Sequence, residues 1–169
     1  MFSLGCSCAL VFLLGLVTAR GAEFVIATES QAACGVIVGT KASERTQAAA
    51  NELATMLKAI CGGEFEVKSG DGTEGIVVGT AADFPSLSKD DRLTDKAITA
   101  RENYLVRSES QRLVLLGNTE RGVEHAVWHL LHRLGVRQYF PGKHWEIVPQ
   151  QSNLSIEMSS FQTPSYHSR

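Results

Sequence analysis

The sequence predicts an α+β domain of two layers, a mixed β-sheet with two main helices packed on one of its faces. Three observations point there. Segments 44–61 and 122–134 repeat apolar residues at helical spacing, so each carries a single apolar face. Short β-branched runs bounded by turn-prone residues are spread between and around them. Elements with one apolar side must lay it against another layer, and a single sheet covered on one side satisfies both helices.

Composition bounds the rest. The chain has 169 residues, 44% of them hydrophobic and 20% charged, with a net charge of −2. That suits one globular domain. Lysine and arginine are scattered, with no basic stripe interleaved with aromatics, which argues against a nucleic-acid partner. Residues 1–21, "MFSLGCSCALVFLLGLVTARG", carry an apolar run from Ala9 to Val17, then small residues at Ala19 and Gly21. This is the pattern of a secretory signal peptide, although no basic residue precedes the run. The run is too short for a bilayer, which takes about 20 residues, so no membrane span is expected in the mature chain. The expected location is secreted or periplasmic. Cleavage removes Cys6 and Cys8 and leaves Cys34 and Cys61.

The mature chain opens on two extended runs, "EFVIA" (23–27) and "GVIVGT" (35–40). A helix follows, with Ser43 as its N-cap, Ala49, Leu53, Met56, Leu57 and Ile60 on its buried face, and Gly62-Gly63 as its stop. The two remaining cysteines leave two readings, one disulfide or two buried thiols. A strand from Cys34 to Thr40 rises about 20 Å, and a helix from Glu44 to Cys61 rises about 26 Å. A helix folded back across that strand brings Cys61 near Cys34, which favours a structural disulfide between them in an exported protein. "EFEVKSG" (64–70) and "GIVVGT" (75–80) read as further strands. Residues 81–102 are polar and irregular, a surface loop with one helical turn at most. The adjacent acids Asp90 and Asp91 lie in it, and without a positioned partner they read as solvated rather than catalytic. "NYLVRSESQRLVLLGNTE" has the pattern of a hairpin, the second helix comes next, and short extended pieces close the chain.

The second helix carries His125, His129 and His132. At 3.6 residues per turn they fall within an arc of about 60°. Val123, Ala126, Val127, Leu130, Leu131 and Leu134 cluster on the other side. Histidines at i and i+4 can bind zinc, but a zincin helix needs H-E-x-x-H, with glutamate between them as general base. Here Glu124 precedes His125, and Ala126, Val127 and Trp128 fill the gap. The expected role is therefore a solvated or interdomain face, with no metal and no cofactor. Trp128, Tyr139, Phe140 and Trp145 are close in sequence, and burial in packing is favoured over ligand binding for them.

The stretch "GNTERGVEHAVWHLLHRLGVRQYFPG" resembles a segment of the N-terminal, non-catalytic domain of bacterial α-glucuronidase-like glycoside hydrolases, a domain similar to the second domain of β-N-acetylhexosaminidases. The matching residues are Gly117, Thr119, Arg121, Gly122, Ala126, Leu131, Gly135, Val136, Arg137, Tyr139, Pro141 and Gly142. The resemblance implies a hexosaminidase domain 2-like, or zincin-like, fold over residues 22–160. Behind the leader read over 1–21, it implies the opening of a (β/α)₈ catalytic barrel over 161–169. The catalytic acids would sit on that barrel's loops, so this chain alone is expected to be inactive. The glycan substrate would be met through the barrel. "TPSYHSR" is similar to the P-x-x-x-x-R that opens related barrels, which implies a sugar contact for Arg169 and for no other residue here. Glu146, in "HWEIVP", matches no catalytic position of the family. An exported accessory domain of a glycan-degrading enzyme is thus expected; the alternative is a stand-alone carbohydrate-binding or cell-surface module, and a zinc hydrolase stands behind both.

Overall fold

The residues described in the computed structural model are 21–140 and 142–164. The leader expected over 1–21 falls outside them apart from Gly21, and so do Pro141 and Arg169.

In chain order the elements are β1 (Phe24–Thr28), β2 (Gln31–Ala32), β3 (Val36–Val38), α1 (Glu44–Cys61), β4 (Val67–Ser69) and β5 (Gly75–Thr80). Then come β6 (Tyr104–Ser108), β7 (Arg112–Gly117), α2 (Glu120–Arg133), β8 (Arg137–Gln138), β9 (Glu146–Ile147), β10 (Leu154–Ile156) and β11 (Ser159–Gln162). The main sheet has six strands in the order β11-β6-β7-β5-β3-β4. It is mixed: β4, β3, β5 and β7 run parallel, while β6 and β11 are antiparallel to their neighbours.

The ends of α1 explain its length. The Ser43 hydroxyl accepts from the Thr46 amide at 3.3 Å, and Gly62, at φ +85°, turns the chain away while its amide bonds Lys58 O. Leu53, Leu57 and Ile60 are fully buried, as the periodicity requires. With Val123, Ala126, Leu130 and Leu131 of α2 they cover one face of the sheet, meeting Val36, Ile76, Val78, Leu113 and Leu115.

β5 and β7 read as almost unbroken apolar runs because both their faces are buried. Their alternate residues Val77, Val114 and Leu116 point the other way, into a second apolar cluster with Ala81, Phe84, Leu87 and Leu93. Residues 81–102 therefore do not lie free on the surface as expected. They fold over the far face of the sheet, with short 3₁₀ turns at Asp91–Leu93 and Ile98–Ala100, and Phe84, Leu87 and Leu93 point inward while Ile98 stays exposed.

A second departure concerns β1. One sheet was expected, but β1 pairs with β10 and β2 in a separate three-stranded sheet, with a register shift between Val25 and Ala27. Phe24, Ile26 and Ala27 enter the helix-side core while Val25 faces outward, so the strand closes an end of that core rather than extending the main sheet. Cys34 and Cys61 are both free thiols in this structure, the first half-buried in a bend just before β3 and the second buried at the end of α1.

Candidate functional site

The histidine helix is held by an uncommonly close mount. A Cβ on Gly117 would lie 2.3 Å from the Val123 amide nitrogen, and one on Gly122 would lie 2.6 Å from the Asn103 carbonyl oxygen. Only glycine lets the end of β7, the first turn of α2 and the 101–103 backbone meet this closely. Polar contacts fix the same junction. Thr119 Oγ1 donates to Arg101 O at 2.6 Å, and Asn118 Nδ2 donates to Asp95 O and Ala100 O at 2.7 and 2.9 Å. Glu102, with a nearly buried carboxylate, takes Arg121 at 3.4 Å and lies 3.1 Å from His125 Nε2. Arg45 of α1 clasps Glu124 of α2 through two bonds of 2.6 and 2.7 Å. That guanidinium holds the Glu124 carboxyl below the usual carboxylate range, and the pair ties the two helices together. At the other end Arg137 Nη1 donates to His132 O at 2.7 Å, closing off a last-turn carbonyl.

The structure brings the three histidines along one groove of about 500 Å³, closed by Tyr104, Trp128, Gln162 and Pro164. Tyr104 lies between two of them, with ring centroids 6.1 Å from His125 and 5.7 Å from His129. His129 Nδ1 is buried without a hydrogen-bond partner. Burial, followed by the charges of Arg133 and His132, lowers its pKa. Among the described residues, no three His, Cys, Asp or Glu side chains come close enough together to hold a metal ion. The stripe is thus one wall of a groove lined by imidazole and aromatic side chains.

The other sequence candidates disperse. The Asp90 carboxyl caps the 3₁₀ turn and is held below its ordinary range chiefly by its bonds to Arg92. The same Arg92 guanidinium stacks 3.7 Å over the Phe161 ring, and Asp91 is exposed. Glu146 is paired in the small β8–β9 ladder. The expected burial of the C-terminal aromatics is overturned for three of four. Trp128 packs against the core, but Tyr139, Phe140 and Trp145 are 64%, 61% and 53% exposed. They sit on and around a two-residue ladder that is too small to have an inner side. Two contributors were missed from sequence, Glu102 and the Arg45–Glu124 clasp. Residues 79 positions apart give no local signal, and Glu102 lay in a segment read as solvated.

Residues 23–130 match the family described as glycosyl hydrolase family 67 N-terminus. No curated protein matches the chain. Among solved structures it is similar to a family GH115 4-O-methyl-α-glucuronidase with specificity for decorated arabinogalactans. The TM-score is 0.52 with 15% identity over 79% of this chain and 18% of that one. A GH20 β-N-acetylhexosaminidase from Streptomyces coelicolor A3(2) aligns with a TM-score of 0.47 and 19% identity, over 81% of this chain and 23% of that one. The first likeness shows the fold, and the chain spans 18% of that protein's length. No helix among the described residues is long and apolar enough to cross a membrane.

Proposed function

The chain belongs to the glycosyl hydrolase family 67 N-terminus family, and from that membership we propose that it is the exported, non-catalytic accessory domain of a glycan-degrading hydrolase, bracing a catalytic barrel that follows it. One observation carries this reading beyond the family name. From Gly117 to Arg137, the residues of the characteristic motif are spent on seating α2. They supply two close backbone approaches, an arginine–glutamate pair, buried apolar contacts and a capped carbonyl. A motif used this way specifies a scaffold, and the chemistry of the parent enzyme then belongs to another part of it.

The groove supports the bracing role. Its walls include Gln162 and Pro164, so a polypeptide continuing past residue 164 leaves from beside the histidines. Interfaces between domains of one chain commonly bury about 600–1,500 Å². Arg169 would then open the barrel and contact the sugar. In an oxidising compartment Cys34 and Cys61 are the pair that would close one bridge, which intact mass before and after reduction reads directly.

Sequencing the gene beyond the codon for Arg169, then expressing both products, tests the reading. The longer product is expected to hydrolyse glycosides and the 169-residue chain to hydrolyse none. A stop codon directly after Arg169, or glycoside cleavage by the short chain, contradicts it.

A further inference from the structure

We infer that the hairpin formed by β8 and β9 is the seat on which this domain holds the catalytic domain following Pro164 in the same polypeptide; the inference rests on the accessory-domain reading and names its contact. Tyr139, Phe140, Trp145 and Ile147 are each more than half exposed and lie within nine residues of one another. The other large apolar side chains exposed among the described residues, Val25 and Ile98, stand far from them in the chain. Apolar surface concentrated in this way marks a contact site.

The described residues of the hairpin bond one another. Tyr139 N bonds Trp145 O at 3.1 Å, Trp145 N bonds Gly142 O at 3.0 Å, and the Phe140 and Trp145 rings meet edge to face at 5.2 Å. An interface whose side chains are already ordered costs less to form.

Position identifies the occupant. Arg137, at the root of the hairpin, is bonded to His132 O. His132 lines the groove whose other wall is Gln162 and Pro164. The hairpin root and the exit of the chain thus both adjoin His132, one through its backbone carbonyl and the other across the groove its ring lines. A domain tethered at residue 164 is presented to the hairpin at high effective concentration, which lets a modest patch hold it. A glycan is the less suitable occupant. The Phe140 and Trp145 planes cross at 70°, so they offer no shared flat face for a sugar ring, and Ile147 extends the patch with a purely aliphatic side chain.

The test uses the longer gene product carrying Tyr139→Ser, Phe140→Ser and Trp145→Ser together, beside a control with Val25→Ser and Ile98→Ser. Limited proteolysis of the segment just after Pro164 is the readout. The triple variant is expected to be cut roughly tenfold faster than wild type, since the segment opens once docking is lost, and the control at the wild-type rate. Trp145→Arg alone serves if the triple variant folds poorly, which thermal melting of the 169-residue chain reports separately. An unchanged cleavage rate in a folded variant overturns the inference while leaving the accessory reading intact. So does saturable binding of xylo-oligosaccharides by the 169-residue chain that the triple variant abolishes, which would make the hairpin a sugar site. A gene that stops at Arg169 removes both readings at once.

Discussion

A side-chain carbon on Gly122 would stand 3.1 Å from the Cα of Gly117, so the end of β7 and the first turn of α2 are in direct backbone contact. The packed helix face, the buried Glu102 and the histidine groove all depend on the angle that this contact sets. Gly117→Ala is therefore expected to destabilise the chain by about 3 kcal/mol, the upper end of the usual cost of overpacking, the clashing atoms being backbone that cannot swing aside. For a domain of this size that is a fall in Tm of about 6–12 °C, measurable by circular dichroism. An alanine variant melting within a degree or two of wild type would show that the junction has slack.

The second apolar cluster yields a prediction of its own. Phe84 and Leu93 are 2% and 0% exposed, under the face of the sheet opposite the helices. Phe84→Ala is expected to cost about 3–5 kcal/mol and Leu93→Ala about 2–5. A chemical-denaturation midpoint close to wild type for both would mean that the 81–102 segment is the mobile covering its composition suggests.

That segment also shows where sequence reading succeeds and fails. The helices were legible because Leu53, Leu57 and Ile60, and likewise Val123, Val127 and Leu130, repeat at the helical period. The ends of α1 were legible because Ser43 and Gly62 are strong start and stop residues. In "AADFPSLSKDDRLTDKAITARE" the inward side chains follow no fixed period, because an irregular segment buries whichever residue its turns direct inward. β1 was correctly read as extended, yet its partner β10 lies some 130 residues further on, and no local pattern encodes that pairing. The histidine stripe was legible as a face. That Tyr104 and Pro164 make it a groove depends on β6 and β11 pairing across the sheet, which is tertiary information.

Burial pushes the Cys34 thiol up to about 11. At pH 8 about one molecule in a thousand then carries the reactive thiolate. Iodoacetamide under native, reducing conditions is expected to leave Cys34 largely unmodified while free cysteine is consumed, and the rate is expected to climb about tenfold per pH unit towards 11. Peptide mapping by mass spectrometry distinguishes Cys34 from the other cysteines. Rapid labelling at neutral pH would mean that the bend before β3 opens readily in solution.

His129 makes stability depend on pH with a definite sign. Its pKa is lowered in the fold, first by burial and then by Arg133 and His132, while the unfolded chain keeps the ordinary value of about 6.5. Below that value the unfolded state takes up the proton more readily, so stability is full above about pH 6.5 and is lost as the pH falls towards the folded value. The groups facing this ring from other elements, Tyr104 and Gln162, carry no charge that would rescue the cation. The comparison is made between proteins, so that the contributions of all other groups cancel. His129→Leu removes the buried, unpartnered Nδ1 and leaves the 3.1 Å His125–Glu102 contact in place. The fall in Tm between pH 7.5 and pH 5 is expected to be smaller in His129→Leu than in wild type, while at pH 7.5 the two differ little. A steeper acid loss in the variant would mean that protonated His129 gains a partner in the groove, and the stripe would then be a site that binds anions.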